Sequence, residues 1–512
     1  MREISSDEIY KGLLAYGTFS EKLPPIFSAV DFYHYCVNNN VSFVNKPRQL
    51  IQYEAMRNTN VPRLLAVPNP FAYQLLCRCL ADNWNKLCTH FETQTLGHTY
   101  KVSRIHIRKI IERENIFTIG EYETTETIYG EPTYKDNIFQ MSSNNWRIDG
   151  NPEIDILIGK RWVVKVDIAT CFPSIYTHSL PWALVGKSVA KQNRNGNLWY
   201  NKIDKLSQNI KDGETHGIPI GPHASNLLSE IILTVVDKKL FQKWDYFRNI
   251  DDYTCYVKSR EEAELFITEL SEELRQFDLS LNHKKTAILE LPIAAIEHWT
   301  RQIEHISHYK SGNKLDYKSV RSYLDSAIEL MRSNDFNSAI LNYAIKVLSN
   351  QGMTDNAKVY CIKTILHLAV IYPYLIPLLD KYVFQCYSVD KTLIEKFTLD
   401  MFENSLLVKN YETASFCVYF SLKYDFQIPA LTVDCGINSE HCIFLIFVYL
   451  YSEKYFSDTD KKKLKDYAKY LLSDNIEFER NWLFVYECLS KGLLKDDWKT
   501  LKNAGVSFIK FT

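Results

Sequence analysis

The spacing of apolar positions along the chain changes near residue 295. Before that point, short stretches with alternating apolar and polar residues are interspersed with stretches of helical spacing, which predicts a mixed α/β region. After it, helical spacing dominates. One stripe, at i, i+3, i+4, i+7, i+8 and i+11, comprises Val320, Tyr323, Leu324, Ala327, Ile328 and Met331. A second comprises Phe336, Ile340, Tyr343, Ala344, Val347 and Leu348. We therefore predict two parts, residues 1–295 and an all-α part, residues 296–512.

The helices of the second part are joined by short polar turns and show no strict sequence period. Each stripe would be buried on its neighbour, so we predict an irregular array of the HEAT or solenoid type. The two most apolar runs lie here, at residues 364–379 and 442–451. The first carries His367 and two prolines, and the second is too short to cross a bilayer. Both are interpreted as buried helices, and we find no chemical motif among them.

Composition and charge restrict the partners and the compartment. The chain has 512 residues, which predicts two to four domains. Its 60 Lys and Arg nearly balance its 61 Asp and Glu, so at most a local basic channel is expected, without a broad grip on duplex phosphates. The 12 cysteines include no pair of pairs at zinc spacing and are interpreted as free thiols. The start MREISSDEIYKG has no apolar segment typical of a signal peptide, so we expect a cytoplasmic protein without membrane contact.

Two adjacent aspartates stand out in FRNIDDYTCYV, residues 247–257. Asp251 and Asp252 lie between two apolar, aromatic-rich arms, which predicts a hairpin with both acids at its tip. A solvated turn would explain such a pair. A divalent cation that relieves the repulsion between the carboxylates is the alternative. A third carboxylate at a matching strand end would favour the metal.

Such a carboxylate lies within the stretch RWVVKVDIATCFPSIY, residues 161–176. Trp162, Val164 and Val166 alternate with their neighbours, which predicts a strand, and Asp167 ends it. The following Pro and Ser predict a turn into a helix at THSLPWAL. Alone, Asp167 would equally suit a residue that caps a helix.

A glycine-rich turn and a helix separate the two acidic sites. The turn contains Gly217, Pro219 and Gly221, and the helix follows in ASNLLSEIILTVVDKKL. Glycine lets a backbone approach a ligand closely, and Ser225 and Asn226 offer hydrogen bonds at the helix start. Farther on, the pattern predicts a helix, then a strand, then Lys284-Lys285-Thr286.

Taken in this order, the motifs resemble the palm of a reverse transcriptase. DIATCF resembles the first motif, with Asp167 as a metal ligand and Phe172 at the place of the aromatic that rejects a ribose 2′-hydroxyl. GIPIGPHAS resembles the second motif, which implies nucleotide contacts near Gly221 and Ser225. NIDD resembles the Y-x-D-D box, and LSLNHKKT resembles the fourth motif with Lys285 as its lysine. Asn249 stands where that box has its aromatic residue, a departure that would weaken ordinary primer-template use.

The resemblance implies nucleotidyl transfer supported by two Mg²⁺ ions, with Mn²⁺ as an alternative, roughly 4 Å apart. Asp167 and Asp251 would bridge the ions, and Asp252 would support one of them. These three aspartates and Lys285 are the predicted catalytic residues. The lysine would either neutralise the triphosphate or protonate the pyrophosphate, and both roles stay open.

A narrower resemblance rests on IYTHSLPWALVGKSVAKQNRNG and ETHGIPIG, which are similar to the abortive-infection reverse transcriptases of the AbiK type. That family implies an α+β palm and fingers, no recognisable thumb, and a C-terminal helical HEAT-like domain. It further implies a bacterial antiphage protein that polymerises dNTPs without a template. Its single-stranded DNA product would be attached to a tyrosine of the protein, and the chains would form homo-oligomers, trimers or hexamers.

The segment KGLLAYGTFSEKLPPIFSAVDFYHY resembles the N-terminal segment of that family, with its Tyr-Gly pair at Tyr16-Gly17. A tyrosine hydroxyl replaces a 3′-hydroxyl as the first nucleophile if it reaches the metals. Tyr16 is the first choice for the priming residue and Tyr10 the second. Ordinary aromatic packing is the alternative, since the chain has 33 tyrosines.

Basic residues supply further predicted contacts. Arg104 and Arg108 alternate in SRIHIRKI, along a predicted fingers strand, and would hold a triphosphate bidentately. An exposed strand face is the alternative. Lys187, Lys191 and Arg194 are predicted to contact product phosphates.

Three functions follow from these observations. The first is a template-independent, protein-primed antiphage DNA polymerase. The second is an RNA-templated reverse transcriptase of a retron-like or intron-like kind, which the balanced charge, Asn249 and the missing thumb disfavour. The third is a non-catalytic scaffold derived from a palm, which the intact Asp167, Asp251 and Asp252 disfavour.

Overall fold

The computed structural model describes residues 1, 3–57, 62–109, 139–140, 152–292, 299–303 and 314–511. The predicted boundary between residues 295 and 296 lies outside these residues. The described residues combine a mixed α/β part with a helical part that follows it.

The first elements form helices and two small antiparallel sheets. In chain order they are α1 (Ser6–Leu14), α2 (Val30–Asn39), β1 (Ile51–Ala55), β2 (Arg63–Val67), α3 (Pro70–Asp82), α4 (Trp84–Thr95), β3 (His106–Ile107) and β4 (Phe139–Gln140). β1 pairs with β2, and β3 pairs with β4. A capping box starts α1, because Ser5 and Glu8 each bond to the other's backbone N–H.

A four-stranded antiparallel sheet forms the centre of the mixed part. Its region comprises α5 (Pro152–Leu157), β5 (Trp162–Asp167), α6 (Cys171–Ser174), α7 (Ser179–Val185), α8 (Lys187–Gln192), α9 (Trp199–Asn209), α10 (His223–Leu240), β6 (Asp245–Asn249), β7 (Asp252–Val257), α11 (Arg260–Arg275) and β8 (Ala287–Glu290). The strand order is β6-β7-β5-β8. The strand that ends in Asp167 and the helix predicted at THSLPWAL are both confirmed.

One predicted element is in the wrong place. The strand expected before Lys284-Lys285-Thr286 is reduced to a single bridge between Leu281 and Ile168. The regular strand, β8, follows the lysines instead. β5 ends at Asp167, and the next residue, Ile168, pairs with Leu281. The turn that contains Lys284 and Lys285 therefore lies beside the end of β5.

Within the described residues, the helical part comprises residues 299–303, which are helical, and the helices from α12 onward. Its helices are α12 (Tyr317–Ser333), α13 (Ser338–Leu348), α14 (Asp355–Ile371), α15 (Ile376–Leu379), α16 (Lys391–Leu407), α17 (Tyr411–Tyr424), α18 (Val433–Ser439), α19 (Cys442–Tyr455), α20 (Asp458–Ser473), α21 (Asn475–Arg480), α22 (Trp482–Cys488) and α23 (Asp496–Asn503). A 3₁₀ segment, Pro373–Leu375, and a π segment, Asp380–Phe384, flank α15. Neighbouring helices pack together, as α16 does on α17 and α17 on α19. A HEAT-type repeat stays a prediction.

The first predicted stripe is confirmed, with Ile328 only half-buried on α12. The second is wrong at Phe336, which is 49% exposed and precedes α13. The side chain of Asn337 caps the start of α13, and the backbone of Phe336 is left-handed, so the helix begins after it. Leu341 and Ile345, which lie outside the predicted stripe, are buried, whereas Tyr343 and Val347 of the stripe are only half-buried.

Several contacts join the helical part to the N-terminal segments. Arg48 Nη1 lies 2.8 Å from Glu479 Oε1, and both side chains are buried. The rings of Phe71 and Trp498 lie 4.4 Å apart, and Ile509 pairs with Phe27 in a β-bridge. The hydrophobic core is therefore continuous between the two parts.

The apolar run at residues 364–379 covers the end of α14, the 3₁₀ segment and α15, so it is not one continuous helix, and the run at residues 442–451 lies within α19. Most of their side chains are buried or half-buried. Among the helices that the structure describes, none is long and apolar enough to cross a membrane. The 12 cysteines are all free, and all but Cys386 and Cys435 are buried.

Candidate active site

The end of β5 and the tip of the β6–β7 hairpin bring the predicted carboxylates together. Asp167 and Asp252 are partners in the β5–β7 register, so they face each other across two neighbouring strands. The backbone N–H of Ile168 donates to the carbonyl of Asp251 at 3.1 Å. Asp167 is buried, Asp251 is half-buried and Asp252 is exposed at the rim. The predicted hairpin with both acids at its tip is confirmed.

The hairpin turn consists of Ile250 and Asp251, and Asn249 pairs with Asp252 across it. Ile250 has a φ of 58°, in the left-handed region that β-branched residues rarely adopt. Such a conformation persists only where the surroundings hold it in place. The turn that carries Asp251 is therefore under local strain.

A fully buried arginine holds this turn. Arg248 Nη1 donates to the carbonyl of Ile250 at 2.8 Å and lies 2.6 Å from Glu230 Oε1. Its Nη2 lies 2.6 Å from Asp237 Oδ2. Both acids are buried on α10, so one ion cluster ties that helix to the hairpin that carries Asp251 and Asp252. Sequence reasoning missed this cluster, although Glu230 and Asp237 interrupt an otherwise apolar helix.

The carboxylates at the tip hold their protons more tightly than usual. Although Asp252 as a residue is exposed at the rim, its carboxyl is partly buried, and this desolvation, reinforced by the charges of Asp251 and Asp167, raises its pKa to about 6. Burial also raises the pKa of Asp251, with a further contribution from Asp167. The site therefore concentrates negative charge beyond what its own cations balance.

Lys285 lies against this group of acids. Its Nζ is 2.7 Å from Asp167 Oδ2, and the hydrogen bond to Asp167 raises the pKa of the lysine. Asn282, which sequence reasoning did not single out, donates from Nδ2 to the same oxygen at 3.2 Å. The backbone N–H of Asn282 also donates to the Asp167 carbonyl at 2.8 Å, so the lysine turn is fixed to the end of β5.

The donor set suits a divalent cation in chemistry. Carboxylate oxygens are the ligands that Mg²⁺ prefers. Burial first, and then the charges of the neighbouring aspartates, raise the pKa values of Asp251 and Asp252, and a bound cation would offset both effects. Within the described ranges, no three His, Cys, Asp or Glu side chains already converge as a metal cage. The Lys285 ammonium lies against Asp167, so metal binding would require this lysine to shift.

The glycine-rich turn packs on the segment that follows Asp167. The N–H groups of Gly217 and Ile218 donate to the carbonyls of Ile175 and Phe172 at 2.8 and 2.9 Å. Phe172 is half-buried against the core. These bonds fix the first and second motifs to each other.

Gly221 has a φ of 127°, and a Cβ there would lie 3.0 Å from the carbonyl oxygen of Ala66 in β2. The turn therefore contacts the β1–β2 hairpin closely. Ser225 is buried, and its Oγ donates to the Pro219 carbonyl at 2.6 Å, which gives it a structural role beneath the turn. Nucleotide contacts by Phe172, Gly221 and Ser225 stay predictions.

The predicted priming segment docks on the same turn. The Gly17 carbonyl accepts from the N–H of His223, the first residue of α10, and from the Tyr73 hydroxyl, both at 2.9 Å. A Cβ on Gly17 would lie 2.7 Å from His223 Cβ. Tyr16, beside it, is half-buried, and Tyr10 is buried and accepts a hydrogen bond from Gln74. Of the two tyrosines, only Tyr16 keeps an accessible face.

The predicted fingers strand through Arg104 and Arg108 is shorter than expected within the described residues, and a triphosphate contact by Arg104 stays a prediction. Strand β3 contains only His106 and Ile107, so Arg104 precedes it and Arg108 follows it. Arg104 is buried at 2% exposure, with its guanidinium 5.7 Å from the centre of the Phe247 ring. Its backbone N–H donates to the Arg248 carbonyl at 2.8 Å. Arg108 is half-buried, and a triphosphate contact for it stays a prediction.

The family model described as reverse transcriptase (RNA-dependent DNA polymerase) matches residues 121–319. This range contains Asp167, Asp251, Asp252 and Lys285. No curated protein sequence matches the chain.

Solved structures similar to the chain include yeast telomerases. Apo telomerase from Candida tropicalis has a TM-score of 0.32 at 11% identity, over 83% of this chain and 69% of that one. Telomerase from Candida albicans with a fragment of telomeric RNA has a TM-score of 0.29 at 10% identity, over 83% and 65%. A truncated apo form from Candida tropicalis has a TM-score of 0.26 at 12% identity, over 51% of this chain, and the match spans only 55% of that telomerase.

Proposed function

We propose an activity narrower than the one that the family match indicates. Residues 121–319 match a reverse transcriptase domain, which indicates a nucleotidyltransferase of the RNA-directed DNA polymerase type. The protein builds single-stranded DNA from dNTPs without a template, starts each strand on its own Tyr16, and acts in bacterial defence against phage as a homo-oligomer. The observation that carries the catalytic assignment is the face-to-face pair Asp167 and Asp252, with Asp251 on the adjoining turn.

Reverse transcriptases use divalent metal ions such as Mg²⁺, and the donor set here suits them. Asp167, Asp251 and Asp252 would hold the metal, which supplies charge neutralisation at the phosphates when it is bound. In this structure Lys285 contacts Asp167. When a dNTP binds, the side chain of Lys285 would move to the triphosphate, where its ammonium balances the charge of the leaving group.

Initiation differs from elongation only in the attacking oxygen. The Tyr16 hydroxyl attacks the α-phosphorus of the first dNTP, a tyrosyl–phosphate bond forms and the bond to the β-phosphate breaks. Pyrophosphate leaves, and the phenolic proton passes to solvent. In each later step the 3′-hydroxyl of the growing strand takes the place of the phenol.

Three observations support Tyr16 and untemplated synthesis. Gly17 docks the tyrosine segment on the first turn of α10, which adjoins the turn bonded to Phe172. Asn249 stands where related enzymes place the aromatic that packs beside a primer. The formal net charge of −1 offers no broad phosphate-binding surface for a long duplex.

A second candidate, RNA-templated reverse transcription, is favoured by the description of the matching family as RNA-dependent. It predicts synthesis only when an RNA template and a primer are supplied. The non-catalytic scaffold loses support, because the match is to an enzyme family.

The first test uses purified full-length protein, Mg²⁺ and labelled dNTPs, without template or primer, analysed on denaturing gels before and after protease. We expect label that migrates with the protein and moves as free DNA after proteolysis. Asp251→Asn should abolish all label, since it removes a metal ligand. Tyr16→Phe should abolish the protein-linked label while it leaves the extension of an added oligonucleotide intact.

The comparison variant is Tyr10→Phe, which removes the buried hydroxyl of the second-choice tyrosine, on α1. It should keep the protein-linked label, and loss of the label in this variant alone would assign priming to Tyr10. Label that appears only with RNA and primer would establish the second candidate. In cells, phage plating should fall with the wild-type chain and recover with Asp251→Asn. Equal plating on both would refute the defensive role.

A further inference from the structure

A cavity of about 530 Å³ lies among α7, α8 and α9, apart from the three aspartates. This volume lies in the range that holds small organic ligands, about 300–1,000 Å³. Six of its lining residues are aromatic or basic: Tyr176, His178, Trp182, Lys191, Arg194 and Lys205.

The aromatic side of this cavity is a compact group of rings. The Tyr176 and Trp182 rings have centroids 5.8 Å apart, and the His178 ring lies edge-on to Tyr176 at 4.9 Å. Trp182 is half-exposed, and Lys187 Nζ lies 4.0 Å from the centre of its ring. Rings with an open face, beside a cation, are what bases of single-stranded nucleic acids stack upon.

Basic side chains also line the cavity. Lys191, Arg194 and Lys205 are exposed around the opening. The one acid among the lining residues, Asp204, is buried, with Oδ2 2.5 Å from His178 Nδ1 and Oδ1 accepting from Gln208 at 2.8 Å. Since this carboxylate is engaged inside the wall, the field at the opening is positive and suits a phosphate.

The cavity wall is joined to the catalytic motifs. Tyr176 forms a β-bridge with His216, and the N–H of Thr177 donates to the Thr215 carbonyl at 2.8 Å. Gly217, next in the chain, is bonded to Ile175 at the junction of the first two motifs. A strand held in the cavity would therefore lie beside the elements that shape the catalytic site.

We propose that this cavity binds one nucleotide unit of single-stranded nucleic acid. The base contacts the Tyr176–Trp182 pair, and the phosphate contacts Lys191, Arg194 and Lys205. The assignment of a strand as the ligand rests on the proposed function, whereas the chemistry of base and phosphate rests on the cavity itself.

Binding of a fluorescein-labelled oligodeoxythymidylate to the full chain, followed by anisotropy in EDTA at several salt concentrations, tests this proposal. Lys205→Glu should weaken binding about tenfold at low salt and lower the salt slope by about 0.7, since one phosphate contact is lost. Lys202→Glu is the matched control. Lys202 is also exposed on α9, so the charge change is the same, but Lys202 does not line the cavity. Equal effects of the two variants would overturn the proposal.

The stacking arm compares Trp182→Leu with Trp182→Phe. Loss of the ring should weaken binding about tenfold, and phenylalanine should restore most of it. Competition by dTTP as strong as by the unlabelled oligonucleotide would overturn the assignment to a strand. EDTA prevents catalysis, so a protein that binds as described but makes no untemplated DNA refutes the proposed function alone.

Discussion

At the residue scale, the ionised carboxylate of Asp252 destabilises the folded chain. Burial and the charges of Asp251 and Asp167 raise its pKa to about 6, and the ammonium of Lys285 offsets this only in part. A carboxyl that binds its proton more tightly in the folded chain loses folded-state stability as the pH rises from its unfolded pKa to its folded one. Here that window runs from 3.8 to about 6. The charge that would serve catalysis is therefore unfavourable for the metal-free fold.

Asp252→Asn should therefore stabilise the metal-free protein while it abolishes polymerisation. The gain in unfolding free energy should be full above about pH 6, shrink as the pH falls, and vanish below 3.8, where both states carry a protonated Asp252. Urea unfolding in EDTA across this range measures it. Asp325→Asn, in an exposed pair with Arg321, should change stability by less than about 1 kcal/mol at every pH. A variant of Asp252 that is less stable than wild type throughout would contradict the argument.

At the element scale, helix α10 fixes the hairpin that carries Asp251. Its residues Glu230 and Asp237 hold the Arg248 guanidinium, and that guanidinium holds the carbonyl of the strained Ile250. The glycine-rich turn leads into the same helix, so one element orients both the second motif and the catalytic turn. Movement of α10 would displace both together.

Arg248→Met should destabilise the protein by about 3–5 kcal/mol, because it leaves two buried carboxylates without their cation. Adding Glu230→Gln and Asp237→Asn should restore part of that stability without restoring activity, since the Ile250 carbonyl still lacks its donor. Urea unfolding and the labelling assay measure the two effects. Arg260→Met, which breaks an exposed pair with Glu264, is the control and should cost less than about 1 kcal/mol. Full activity in the triple variant would show that the turn does not need Arg248.

At the scale of the whole molecule, the helical part and the mixed part share a core. The last helices pack on α2, α3 and the chain around Arg48, and Glu412 of α17 accepts from the Met56 N–H at 2.6 Å. A buried ion pair at such a junction couples the two parts strongly. The boundary expected near residue 295 therefore marks a change in sequence pattern, while the two parts share one hydrophobic core.

Glu479→Gln should destabilise the whole chain by about 3–5 kcal/mol, because it leaves the Arg48 guanidinium buried without its counter-charge. Calorimetry and far-ultraviolet circular dichroism should show both parts unfolding in one transition at a lower temperature. Glu477→Gln removes an exposed carboxylate on the same short helix and should have little effect. Two separate transitions in the wild-type chain would contradict a shared core.

The sequence by itself determined the strand ending in Asp167, the hairpin with Asp251 and Asp252 at its tip, and the apolar face of α12. These follow from local periodicity and turn chemistry, which need no knowledge of distant residues. It also placed Lys285 in the site, but only through the resemblance to a family.

Only the tertiary structure decided which polar groups are buried together. Arg248, Glu230 and Asp237 are far enough apart in sequence that no local pattern pairs them. The burial of Arg104 beside Phe247 likewise depends on the packing of distant segments. The cavity beside Trp182 likewise depends on how three short helices pack. Periodicity reports the face that one element buries, whereas long-range charge pairing is set by the packing of several elements at once.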